Sequence, residues 1–127
     1  MAYTLSESVL TEVVTRIAGA AITRYTCVKL HTTEGEVIMS TDNDVPFGIA
    51  LETVSSGQPV RICTRGIAPC TTAGVVALNA VVHPAGAAGI IDDDGAAGEF
   101  ALGRALRAAT AAADIIPIYI THHQIHA

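Results

Sequence analysis

The chain has 127 residues, half of them hydrophobic and only 15% charged, with a formal net charge of −5. Its length suits one domain, and so apolar a composition excludes an intrinsically disordered chain, which is poor in apolar residues and rich in charge. Seven Lys and Arg, scattered among twelve Asp and Glu, exclude the clustered basic footprint of a nucleic-acid binder.

Residues 1–19 differ in texture from the rest. Val9, Leu10, Val13, Val14 and Ile17 recur at helical spacing, Thr4 and Glu7 have the spacing of a capping box, and Gly19 is placed to end the helix. The same residues also read as a strand, since Val and Thr favour one. The apolar stripe either covers the domain's own core or forms an arm that orders against a partner. From Ala20 the texture is β. Residues 22–31 alternate loosely, the turn at 33–36 leads to a short strand at 37–40, and Thr41-Asp-Asn-Asp44 is a second turn. Strands are then expected at 45–52, 59–65, 66–71, 75–82, 90–91, 99–108 and 114–121. Residues 108–113 read as a turn or one helical turn despite their alanines. Short strands at ~8–12-residue spacing, punctuated by Gly, Asp and Ser, predict an all-β fold, a small β-barrel or sandwich with a short N-terminal helix or arm. The expected layout is an arm or helix at 1–19, a β-barrel domain at 20–121 and a His-rich tail at 122–127.

One segment recurs. Gly48-Ile-Ala-Leu51 with the turn and strand that follow it is echoed 55 residues later by Gly103-Arg-Ala-Leu106. In both copies a glycine and a small residue stand where another backbone approaches or a strand bends, which predicts two related hairpin halves.

These residues also carry a resemblance. Gly48-Ile-Ala-Leu51, the turn at Gly57, Val60-Arg-Ile-Cys63 and Gly66-Ile-Ala-Pro69, then the Gly/Ala-rich middle with Asp94-Gly95, and Gly103-Arg-Ala-Leu106 followed by the apolar strand 115–120, together resemble the tailed-phage capsid decoration (cement) proteins over residues 20–120. The resemblance implies a β-barrel on the capsid exterior, commonly a homotrimer at threefold positions, that binds the major capsid protein and stiffens the shell. An N-terminal arm often reaches the capsid surface in that family. The chain departs from the pattern in its more pronounced N-terminal stripe and in Thr121-His-His-Gln-Ile-His-Ala127.

No catalytic constellation stands beside this reading. The Gly-rich stretches lack a Lys-Ser/Thr ending and there is no Gly-x-Ser-x-Gly elbow, so no enzyme and no cofactor are expected. Asp92-Asp-Asp-Gly95 fails as an EF-hand, because Ile90 and Ala101 fall where carboxylates are needed; a solvated turn is expected. His122, His123 and His126 have spacings that would serve zinc or nickel on a helix, although a solvated or interface-packed tail is the plainer reading. Cys27, Cys63 and Cys70, odd in number and without CxxC spacing, are expected to be buried free thiols.

The mean hydropathy of +0.46 is high for a small soluble monomer and leaves apolar surface for contact with other chains. The expected capsid or subunit contacts are Tyr3, Leu5, Val9, Leu10, Val13 and Val14, with Arg61, Arg65, Arg104 and Arg107 as candidates for ion pairs between subunits. No membrane partner is expected: the most apolar window, residues 73–91, is interrupted by Asn79, His83, Pro84 and three glycines. The N-terminus shows no signal-peptide pattern, so synthesis in the host cytoplasm and residence on the virion exterior are expected. The rival from another class is a small β-barrel binding module on the virion, for carbohydrate or as a spike-base adaptor. The absence of Trp weakens its carbohydrate form, because sugar faces need stacking side chains.

Overall fold

The computed structural model describes residues 8–42, 44–86, 88–95 and 99–124. Among them there are nine strands and no helix: β1 (Val9–Ala18), β2 (Cys27–Leu30), β3 (Glu36–Met39), β4 (Gly48–Ala50), β5 (Pro59–Thr71), β6 (Val81–Pro84), β7 (Ile91–Asp92), β8 (Phe100–Ala105) and β9 (Ile115–Gln124). The sheet order is β1-β3-β2-β4-β5-β9-β8-β6-β7, with β1 also pairing β5. The all-β class expected from the sequence is correct, and the architecture is sandwich-like, not a clean barrel.

Of the two readings of the N-terminal stripe, the strand holds and the helix does not: Val9–Ala18 is antiparallel to β5 from Val9↔Ile67 to Ile17↔Pro59. The β-branched Val9, Thr11, Val13, Val14, Thr15 and Ile17 fit a pleated surface. The helical spacing of the apolar residues has a physical cause in the strand. Register shifts between Leu10 and Val13 mark a β-bulge, which breaks the two-residue alternation and leaves a pattern close to 3.6. Residues 59–65 and 66–71, expected as two strands, form one strand, with Gly66 (φ +110°) at the junction. A Cβ there would lie 2.0 Å from the Val9 carbonyl oxygen, so only glycine lets β1 approach.

The repeat extends well beyond the echoed segment. The isolated bridge Ile22↔Val54 recurs about 55 residues on as Val76↔Ala109, and the parallel pair Ala18↔Val37 recurs as Thr72↔Ile91. The Tyr25 N–H donates to the Ala50 carbonyl as the Asn79 N–H does to Ala105 (2.6 and 2.8 Å), and Tyr25 and Asn79 share a left-handed φ of 63° and 69°. The first half is therefore a circuit of pairings, β1-β3-β2-β4-β5. The second repeats it with the end of β5, then β7, β6, β8 and β9, so the two halves share β5. Gly48 and Gly103 occupy equivalent places, and a Cβ on either would sit 2.4 Å from the Cys63 oxygen or 2.0 Å from the Tyr119 oxygen.

Each half has a core. Ala18, Ile22, Val28, Val37, Ala50, Val60 and Ile62 fill the first, with Val14, Met39, Phe47 and Val54 at its margin. The larger second core holds Cys70, Val76, Val82, Leu102, Ile116 and Ile118, and also receives Cys27, Ile49 and Cys63 from the outer side of the first half. All three thiols are free and buried, as expected. Burial pushes the Cys27 thiol up to about 12, and it raises Cys63 and Cys70 as well.

Candidate interaction surface

Strand β1 presents the clearest apolar surface. Val9, Leu10, Val13 and Ile17 are 55%, 44%, 39% and 39% exposed, while Val14 is half-buried at the margin of the first core. One edge of β1 is paired along its length with β5, but the other meets β3 only at Ile17 and Ala18. The rest of that edge has no strand partner among the described residues, and such an edge is a template for an added strand. Ile17, assigned in the sequence to the stripe but not to the contacts, belongs to this surface. Tyr3 and Leu5 lie outside the described residues.

The arginines divide by partner. Arg61 is held within the chain: its backbone N–H donates to Glu52 Oε1 at 3.0 Å, and its Nε lies 3.4 Å from the same atom. Its side chain also borders a shallow hollow lined by Leu10, Tyr25, Leu51 and Pro69. Arg107 is half-buried and engaged. Arg65 is exposed and lines an open groove with Thr11, Tyr119 and His122. Arg104 is exposed on β8, paired in register with Tyr119. The structure thus brings Arg65, Arg104 and His122 around Tyr119, which the sequence analysis did not single out. Its signal was available in 115–120: Ile116, Ile118 and Ile120 are buried, and the alternation sends Tyr119, 50% exposed, outward.

The tail histidines do not form a described cluster. Nε2 of His122 lies 3.0 Å from the Thr64 carbonyl oxygen, tying β9 to β5. The side chain of His123, and all of His126, lie outside the described residues. The aspartate run is structural at two of its positions: Asp92 accepts from the Asp93 N–H at 2.6 Å, and Asp93 accepts from the Ala77 N–H at 2.9 Å.

What the sequence missed altogether is a buried polar group at the junction of the halves. His83 on β6 is almost fully buried, with Nε2 3.2 Å from Asp94 Oδ1 and Nδ1 2.9 Å from the Pro84 carbonyl oxygen. Glu99 Oε2 is 3.2 Å from the same Nδ1. A histidine among apolar neighbours carries no local signal, because the residues around it come from distant positions.

Comparison with known proteins fits this architecture. The chain is similar over 91% of its length to the N base of head fiber gp8.5 of bacteriophage phi29, with a TM-score of 0.73, 13% identity and 98% of that chain covered. At that identity the likeness is one of fold. No curated protein sequence matches. The model of a family described as phage cement protein matches residues 10–120, nearly the whole described sheet and both halves of the repeat. This all-β chain, with its duplicated half and its apolar outer strand, belongs to the phage cement protein family.

Proposed function

We propose that the protein is a non-enzymatic structural component that binds the major capsid protein on the exterior of a phage head, as a homotrimer, and stabilises the lattice. It would be made in the host cytoplasm, with no nucleic acid, membrane or cofactor taking part. The exposed apolar row of β1 carries the reading. Apolar side chains on an unpaired edge gain both burial and backbone hydrogen bonds when a partner strand is laid beside them. An interface of ordinary size buries ~800 Å² per partner, and many weak contacts on one lattice add through effective concentration.

The repeat supports the trimer. Cys27, Ile49 and Cys63, in register across β2, β4 and β5, pack into the second half's core. Their counterparts Val81, Arg104 and Tyr119, in register across β6, β8 and β9, have no third half to cover them. A second copy set head to tail supplies that cover, and head-to-tail contacts can close into a ring.

The test pairs copy number with a surface variant. Quantitative mass spectrometry of virions is expected to find the protein in numbers comparable to the major capsid protein. V13K/I17K, altered only at exposed positions, is expected to melt within a few degrees of wild type and to lose at least tenfold in binding to heads. Unchanged head binding by that variant overturns the role given to β1. The fold likeness to a head-fiber base favours one alternative, a spike-base adaptor, for which only a handful of copies per virion would be found.

A further inference from the structure

From the geometry we infer a divalent metal site at the junction of the two halves, formed by Asp42, His83 and Glu99 and suited to a first-row transition cation such as zinc. One ligand atom from each residue lies within 4.8 Å of the others. They come from three separate places: the turn after β3, strand β6 and the residue preceding β8. The backbone brings the turn there, since the Asp42 N–H donates to the Gly86 carbonyl at 2.8 Å.

Two further observations point to a cation. The first is an unsatisfied buried atom. Glu99 Oε2 is inaccessible to solvent and has no hydrogen-bond partner among the described residues. It is 3.2 Å from His83 Nδ1 but out of hydrogen-bonding alignment, and the same Nδ1 lies 2.9 Å from the Pro84 carbonyl. A buried carboxylate oxygen without a donor is costly, and a metal ion removes that cost by direct ligation.

The second is the repeat. About 55 residues earlier, the places of His83 and Glu99 are taken by Lys29 and Asp44, whose Nζ and Oδ2 are 2.9 Å apart. There one ammonium faces one carboxylate. In the second half an imidazole, with a side chain only 4% exposed, faces Glu99, Asp42 and, on its Nε2 side, Asp94. The lysine's charge is gone while the carboxylates have multiplied, and a divalent ion restores the balance. Imidazole with carboxylates suits zinc and its neighbours in the first row. Asp94, 3.2 Å from Nε2, is the kind of outer partner that orients a histidine binding metal through Nδ1, the nitrogen that faces Glu99. Since Asp42 belongs to the first half and the other two to the second, the ion would clasp the halves together.

The test uses the full chain with His122, His123 and His126 changed to alanine, which removes the competing tail. After chelation and dialysis, zinc is titrated by equilibrium dialysis and by thermal melting. One zinc per chain is expected, with a rise in Tm of several degrees at a hundredfold excess over Kd. E99Q and D42N, each keeping the side chain's shape, are expected to lose at least tenfold in zinc affinity. Cobalt bound to the tail-free protein gives a visible spectrum that does not depend on the folding of any ligand variant. No binding by zinc or cobalt overturns the proposal. Binding that survives both substitutions at these ligands overturns it equally.

Discussion

Across β2, β4 and β5 the residues Cys27, Ile49 and Cys63 stand in one register and are fully buried, whereas Arg104 and Tyr119, their counterparts on β8 and β9, stand in the same register and are exposed. The backbone around the two rows repeats the same bridges and the left-handed residues Tyr25 and Asn79. Hydrogen bonding therefore sets the path of each half, while the neighbour decides which side of it is core. The second half covers the first; nothing among the described residues covers the second in return.

Truncating the two rows gives the largest expected contrast. Ile49→Ala removes a buried side chain from the second core and is expected to cost ~2–5 kcal/mol. Arg104→Ala, at the equivalent exposed place, is expected to change stability by no more than ~0.5 kcal/mol. Urea unfolding of both variants measures the difference, and equal losses would break the comparison. The paired glycines come next. Gly103→Ala places a methyl group against the Tyr119 backbone, and Gly48→Ala does the same at Cys63 with slightly more room. Both are expected to destabilise by ~1–3 kcal/mol, Gly103 more than Gly48. A Gly103→Ala variant that melts like wild type would show that the close approach is dispensable.

The smallest effect concerns the ion pair of the first half. Burial alone would raise the Asp44 pKa. It is outweighed by the Thr41 N–H, Lys29 and the Thr41 hydroxyl, and the net shift is downward. The resulting stabilisation is present above the unfolded carboxyl value of ~3.9 and is lost as pH falls through the lower folded one. Asp44→Asn is expected to melt below wild type at pH 7, with the gap closing near pH 2. A gap of the same size at both would mean that the carboxylate's charge contributes nothing.

Much of this fold was legible in advance because its signals are local. The turns at 33–36 and 108–113 and the Gly48/Gly103 echo depend on residues close in sequence. The nature of β1 was left between helix and strand, because a bulge disguises strand alternation as helical spacing. The Arg61 contact with Glu52 was also out of reach, since a turn and the start of a strand bring together two residues nine apart in sequence. Of the expected contacts, Val9, Leu10 and Val13 are exposed and Val14 is half-buried, which periodicity by itself did not distinguish.

By itself the sequence determined a chain too apolar for its size, built of short strands, duplicated about a 55-residue interval and lacking a local catalytic motif. Composition, turn chemistry and repetition are properties of neighbours along the chain. Tertiary structure alone decided that one outer row is buried and its twin exposed, and that His83 lies among carboxylates from positions 42, 94 and 99. Those outcomes depend on which surfaces meet after the sheet has closed, and burial and charge pairing across such distances leave no periodic trace.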